Sequence, residues 1–215
     1  MAIELERTIM EANETLKIIT NKFGIDLSQP NPIQIKGSRW HDLGPLLNDL
    51  KFTKGAEIGV YRGRFTATIG RQCPNLQLSA IDAWTSYDGY IDYEKNDLEV
   101  DAYVDTVRRT KDMPNVKLIK GWSSEVVKQF EDESLDYIFI DANHEYASVV
   151  EDINLWSKKV KKGGIVMGHD YFVMRKLNFG VIQAVNGWVE TNHIKHLFTW
   201  RDNCPSWCYI KGDTL

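Results

Sequence analysis

A chain of 215 residues with 43% hydrophobic and 26% charged side chains has the make-up of one soluble globular domain with a buried core. Its net charge of −4 argues against a phosphate backbone as the main partner, so no nucleic acid is expected. Lacking an apolar span of ~18–20 residues, a signal segment or enough cysteines for a disulfide framework, it is expected in the cytoplasm, without a membrane partner.

Residues Ile3–Phe23 repeat apolar side chains at Ile9, Leu16 and Ile19 among charges, which predicts an amphipathic helix closed by Gly24. Pro30 and Pro32 make Ser28–Ile35 a loop. Leu43, Leu46, Leu47 and Leu50 predict a second short helix over Ser38–Leu50. Residues 1–50 are expected as a helical extension that covers one side of the core or supplies a dimer contact. Residues 51–215 form the main domain, with a homo-oligomer left open.

The stretch Lys54–Arg64, KGAEIGVYRGR, reads as a buried strand (Ala56, Ile58, Val60) that breaks into glycines and starts a helix. Gly59 and Gly63 are positions where a backbone turns tightly and admits close approach. Strand, glycine turn and helix N-terminus make a nucleotide cradle, with Glu57 as a carboxylate at the strand end. A second apolar strand, Leu76–Ile81, ends in Asp82, 25 positions after Glu57. Such folds place a ribose-binding carboxylate at about 20. The plainer alternative is a tight turn without a ligand.

Alternation continues from there. A helix near Val100–Arg109, strand Val116–Lys120, helix Ser124–Phe130, strand Asp136–Asp141 and helix Tyr146–Val160 follow in order. Strand Gly164–Gly168, helix Phe179–Val189 and two closing strands complete the chain. Seven strands interleaved with helices predict an α/β, doubly wound, mostly parallel sheet covered on both faces. The basic run Lys158–Lys162, at the end of a helix, complements its dipole. Between Asp82 and Val100, Trp84, Tyr87, Tyr90 and Tyr93 stud a connection too long for a tight turn. Those rings either stack on a ligand or pack the loop onto the body.

Two further strands end in acids beside histidines. YIFID stops at Asp141, followed by Asn143 and His144, and GGIVMGHD stops at His169 and Asp170. Ligands of open α/β sheets bind beyond the carboxyl ends of the strands. On neighbouring strands ~5 Å apart, Asp141 and Asp170 can hold one cation, with His169 or His144 in reach. Carboxylates suit Mg²⁺ or Mn²⁺, and an imidazole in the set tilts the choice toward Mn²⁺ or iron. As helix caps, the two aspartates would carry no metal. His193, His196, Cys204 and Cys208 are zinc-type ligands, but alternation along strands scatters them over different faces.

EIGVYRG, SAIDAW, GWSSE, LDYIFIDANHEY, EDINLW and GGIVMGHDY follow one another in order. From about Arg39 onward the chain resembles class I S-adenosylmethionine (SAM)-dependent methyltransferases. Within them it is most similar to the metal-dependent macrocin-type sugar O-methyltransferases, distant kin of the catechol type. The resemblance implies a Rossmann-like sheet of six parallel strands and one antiparallel strand. It implies Glu57, Gly59 and Gly63 around the methionine portion of SAM, Asp82 on the ribose hydroxyls, and Gly121, Trp122 and Ser123 beside adenine. Asp141 and Asp170 are implied as metal ligands, with Asp141 also bordering the cofactor. His144 is implied as the general base acting on a hydroxyl of a small-molecule acceptor. His169 stands where the sugar enzymes carry an acidic residue, which adds it to the metal set. An NAD(P)-dependent oxidoreductase would share the cradle, but Gly59-x3-Gly63 lacks its third glycine. A SAM-binding fold kept as a catalytically silent partner protein is the non-enzymatic alternative.

Overall fold

Helix-period and strand-period segments alternate along the computed structural model, which describes residues 2–85, 101–173 and 179–214. In order they are α1 (Ala2–Phe23), β1 (Ile33–Ile35), α2 (Arg39–Asp49), β2 (Lys54–Ile58), α3 (Arg64–Gln72) and β3 (Gln77–Asp82). Then come α4 (Asp101–Thr110), β4 (Val116–Lys120), α5 (Ser123–Val126), β5 (Leu135–Ile140), α6 (Tyr146–Trp156) and β6 (Val160–Gly168). The chain closes with α7 (Val181–Thr191), β7 (Phe198–Trp200) and β8 (Ser206–Ile210).

Every side chain of β5 is buried, and the pleat sends them alternately into two cores. Tyr137 and Phe139 enter one core, Ile138 and Ile140 the other. Strand β8 divides likewise, with Cys208 and Ile210 on one side and Trp207 and Tyr209 on the other. A sheet buried on both faces needs helices on both. Ala12 and Ile19 of α1, Leu43, Leu46 and Leu47 of α2, and Phe65 and Ile69 of α3 fill the first core. Val126 of α5, Val149, Ile153 and Trp156 of α6, and Val181 and Val185 of α7 fill the second. The first fifty residues thus share the core of the main sheet rather than lying outside it.

Among the described residues the sheet has eight strands, in the order β1-β7-β8-β6-β5-β2-β3-β4. β8 runs antiparallel to β6 and β7, and every other pairing is parallel. The doubly wound α/β sheet expected from the alternation is therefore present, with one strand more than the seven anticipated. The addition is β1, in the segment expected as a loop. Its Ile33 and Ile35 are buried, Gln34 is exposed, and it pairs with β7. Three residues flanked by proline are too few for alternation to register in the sequence.

The basic run is also read differently. β6 begins at Val160 rather than Gly164, so Lys161 and Lys162 lie in a strand, not at a helix end. Lys159 pairs with Asp132 at 2.6 Å and Lys161 with Asp136 at 2.7 Å. Of the aromatic connection, Trp84 is core: it is buried with Val60, Ala80 and Ala102. Tyr87, Tyr90 and Tyr93 lie outside the described residues. His196 is spoken for by Asp213 at 2.8 Å, and Cys208 is buried within the first core, away from any ligand set. Among the described residues no helix is long and apolar enough to cross a membrane.

Asp136 ties the sheet at the end opposite the strand-end acids. Its Oδ2 accepts the backbone N–H of Thr53 at 2.8 Å and of Lys54 at 2.9 Å, and its Oδ1 accepts from Lys161. Burial would raise this carboxyl, but Lys161 and the two backbone donors outweigh it and hold the group below the ordinary carboxylate range. Asp136 therefore adds stability above that range, and the gain is lost as pH falls through the lower folded value. Asp136→Ala, which removes the acceptor of two part-buried backbone N–H groups, should cost about 1–2 kcal/mol in urea unfolding at neutral pH. The deficit should shrink in acid, and an undiminished deficit there would show that Asp136 acts through packing alone.

Candidate active site

β2 ends at Ile58, the chain enters Gly59 at φ +87°, and Gly63 at φ +68° begins α3. A Cβ on Gly59 would sit 2.1 Å from the carbonyl oxygen of Asp141, and one on Gly63 would sit 2.8 Å from Thr106 of α4. The close approach these glycines allow is thus made by the chain itself, against the end of β5 and against α4. At the end of β3, Asp82 accepts the backbone N–H of Val60 and Tyr61 at 2.8 Å and of Trp84 at 2.7 Å. A carboxylate offers about four acceptor positions, so roughly one remains. The Tyr61 carbonyl in turn accepts from Trp84 Nε1 and Thr106 Oγ1, both at 2.9 Å.

A cavity of about 320 Å³ opens above these strand ends, lined among others by Gly59, Asp82, Trp84, Trp122, Ser123 and Asp141. Six sequence-predicted residues therefore line one cavity: Gly59, Asp82, Gly121, Trp122, Ser123 and Asp141. Glu57 and Gly63 do not line it. Ala56 and Ile58 point into the second core, so the pleat turns Glu57 to the opposite face. There it is 3% exposed, and its Oε2 has no hydrogen-bond partner. Burial drives its carboxyl well above the ordinary value.

Ser123 does not project freely into the cavity. Its hydroxyl donates to the Asp152 carboxylate and accepts from Trp156 Nε1 at 3.0 Å. Burial pushes Asp152, which also lines the cavity, up to about 6. Asp152 was not anticipated from the sequence. The available signal is a charge beside the apolar stripe Val149, Ile153 and Trp156 of α6.

The second constellation lies at the ends of β5 and β6, which are neighbours as expected. His144 Nε2 stands 2.9 Å from Asp170 Oδ2 and 3.6 Å from Asp141 Oδ1. His169 Nδ1 stands 3.2 Å from Asp170 Oδ1 and 3.4 Å from Asp141 Oδ1. Two imidazoles thus bracket two carboxylates. One ligand atom each from Asp141, His144 and Asp170 can be chosen so that all lie within 4.8 Å of one another, a spacing that fits a single cation. It is the one such group among the described residues. The His144 ring is held by Phe179, stacked at 4.5 Å. Burial would depress both histidines, but Asp141 and Asp170 outweigh it, raising His144 to about 10 and His169 to about 9. Asp170, which burial would raise, is held well below the ordinary range by hydrogen bonds from His144 and His169.

Glu57 yields a prediction opposite in sign to that for Asp136. Its folded-state pKa is raised, so the unfolded chain releases the proton first and stability falls as pH rises above the ordinary carboxylate range. Glu57→Gln should therefore unfold at a higher temperature than wild type near neutrality, with the gap closing toward acid. Parallel melting profiles for the two proteins across pH would refute this.

A family model described as a methyltransferase domain matches residues 56–171. Among solved structures, the O-methyltransferase from Bacillus cereus in complex with SAH is 14% identical, with 94% of this chain and 91% of that one covered and a TM-score of 0.59. Cofactor-bound Rv0187 from MTB is 12% identical, with 95% and 90% covered and a TM-score of 0.58. A methyltransferase from Geobacter sulfurreducens is 14% identical, with 80% and 77% covered and a TM-score of 0.55. At such identities these likenesses speak for the fold. Among curated proteins, the uncharacterized protein R132 of Acanthamoeba polyphaga mimivirus is 46% identical over 37 residues, a match that spans 17% of each chain. The family match takes in more than half of the sequence and runs from the cradle strand to the residue after Asp170, so the chain belongs to the methyltransferase-domain family.

Proposed function

We propose that this protein is a SAM-dependent methyltransferase that methylates a hydroxyl of a small-molecule acceptor, sugar or phenol-like, with the help of a divalent cation. The observation that carries this reading is the double position of Asp141. It borders the cavity beside Gly59, and its carboxylate belongs to the bracketed cluster. A cofactor in the cavity and a hydroxyl at the cluster would be neighbours across one residue.

The residues present fit both groups. The cavity is near the lower end of the ~300–1,000 Å³ typical of ligand sites. Asp82 would use its remaining acceptor position for a ribose hydroxyl, and Trp122 and Ser123 would border the adenine. Gly59, packed against the end of β5, would border the cofactor as part of the cavity lining. Asp141 and Asp170, with His169, would hold the cation.

SAM supplies an electrophilic methyl group, and a bound cation supplies the positive charge that makes a hydroxyl more acidic. The chain's own work is alignment and proton removal. Asp141 and Asp170 would fix the acceptor's position relative to the cavity, and His144 would take the hydroxyl proton at Nε2 once that nitrogen has released the hydrogen it holds toward Asp170. Phe179 keeps that ring in one orientation. The side chains of His144, His169 and Asp170 are each 13% exposed or less, so little water competes for these atoms.

Two outcomes follow. S-adenosylhomocysteine at about 100 times its Kd should add about 2.7 kcal/mol to unfolding stability, whereas NADH should add none. Trp122→Ala, at a partly exposed cavity position, should weaken that ligand by about tenfold while leaving the ligand-free melt unchanged. A melt that responds to NADH and not to S-adenosylhomocysteine would replace this reading with the nicotinamide one.

Methyl transfer from labelled SAM to a panel of sugar and phenolic hydroxyls addresses the chemistry. Asp170→Asn should retain S-adenosylhomocysteine binding yet lose turnover by about two orders of magnitude or more. Excess chelator should silence the wild type reversibly. Full turnover in chelator would remove the cation from the mechanism, and absence of turnover on every acceptor would favour the catalytically silent alternative.

A further inference from the structure

Resting on the cation reading above, we infer that the Asp141–Asp170 site selects a first-row transition ion such as Mn²⁺, Fe²⁺ or Co²⁺ over Mg²⁺, because its two carboxylates are bracketed by imidazole nitrogens. His169 Nδ1 faces Oδ1 of both aspartates, at 3.4 Å and 3.2 Å. On the other side, His144 Nε2 faces Asp170 Oδ2 at 2.9 Å and Asp141 Oδ1 at 3.6 Å. The two carboxylates therefore have an imidazole nitrogen on either hand, and Asp141, His144 and Asp170 can present ligand atoms within 4.8 Å of one another.

The second support is the state of the His169 ring. Its Nε2 lies 3.1 Å from the carbonyl oxygen of Cys204, and a carbonyl can only accept. Nε2 therefore carries a hydrogen and is tied to that carbonyl, while Nδ1, which donates to the carboxylates in the ion-free protein, is the nitrogen that would give up its hydrogen to a metal. A backbone carbonyl that fixes the remote ring nitrogen is the usual support of a ligating histidine. His144 is likewise held, by its stack on Phe179 at 4.5 Å. Both rings are pre-oriented, so little rotamer freedom is lost when a metal binds.

The donor chemistry then decides the ion. Mg²⁺ demands near-octahedral oxygen coordination and gives up water reluctantly, which an imidazole-walled pocket does not favour. Imidazole suits the later first-row ions, and carboxylate extends the range down to Mn²⁺. A mixed set of nitrogens and carboxylates belongs to that series.

The experiment uses chelator-stripped full-length protein saturated with S-adenosylhomocysteine. Mn²⁺ binding is read from the loss of its free-ion EPR signal, Mg²⁺ and Co²⁺ by competition, and Co²⁺ also from its visible absorption. Mn²⁺ and Co²⁺ should bind at least about 100-fold more tightly than Mg²⁺. His169→Glu should narrow that gap by about tenfold or more and shift the Co²⁺ bands, and His144→Gln should also narrow it. Circular dichroism and the S-adenosylhomocysteine melt shift report whether each variant remains folded. Equal affinity of the wild type for Mg²⁺ and Mn²⁺ would overturn the selectivity while leaving cation assistance intact. An ion preference unchanged in both histidine variants would overturn the part of the imidazoles in the choice of ion. Failure of every ion to bind, with the melt shift preserved, would overturn the cation reading itself and spare the cofactor reading.

Discussion

The carbonyl oxygen of Asp141 occupies the space where a side chain on Gly59 would begin, which locks the ends of β2 and β5 together. Much else follows from that contact. Hydrogen bonding continues one residue past each strand: Gly59 N–H to Ile81 O at 2.9 Å, Asp141 N–H to Ile58 O at 2.7 Å, and His169 N–H to Ile140 O at 3.0 Å. The ends of β3, β2, β5 and β6 therefore form one continuous rim. Side chains that leave this rim have positions set by the ladder rather than by the loops that follow. That is why Asp82, Gly59, Asp141 and His169 can be ordered along a line at the resolution of single residues, as a preorganised site requires.

The rim carries more charge than a half-buried surface ordinarily tolerates. Two acids at neighbouring strand ends repel, and each loses solvation when covered. The chain answers with one imidazole on each side, so that the carboxylates are hydrogen-bonded before any ligand arrives. Glu57 has no such answer. It sits on the opposite face of the same sheet, nearly sealed from water, and burial raises its carboxyl well above the ordinary range. Acids of one sheet thus have their pKa values moved in opposite directions for reasons visible in their neighbours.

Most of the architecture was legible in the chain because strand and helix periods are long and distinct. β2, β3 and β5, with their acid or glycine termini, follow from alternation alone, and Asp141 and Asp170 are paired by strand order. What escaped was short or depended on tertiary direction. β1 has three residues, and no pattern survives at that length. β6 starts at Val160, where Lys161 and Lys162 disguise a strand as a helix end. Glu57 was placed at a strand end correctly, but the face it turns to depends on which pleat meets which core. Asp152 reads as an ordinary helix-surface acid until α6 is docked over Ser123. Trp84, which could equally have stacked on a ligand, is buried with Ala102 and Tyr103 of α4 against it. Histidine roles were the least legible, since Cys204 contributes only its backbone oxygen to fixing His169.

Three residues at this site hold left-handed backbone without being glycine: Tyr61 at φ +51°, Trp84 at φ +42° and Asp170 at φ +57°. Such conformations cost of order 1–3 kcal/mol each where a bulky side chain is involved, and they persist only when their surroundings insist on them. For Tyr61 and Trp84 the insistence comes largely from one carboxylate, that of Asp82. Selection for heat resistance alone would find easy gains here, since relaxing any of the three turns returns stored energy to the folded state. A lineage or an engineering campaign that took those gains would drift toward a sturdier protein with a misplaced rim, so this edge of the sheet is where thermal hardiness and function should trade most sharply.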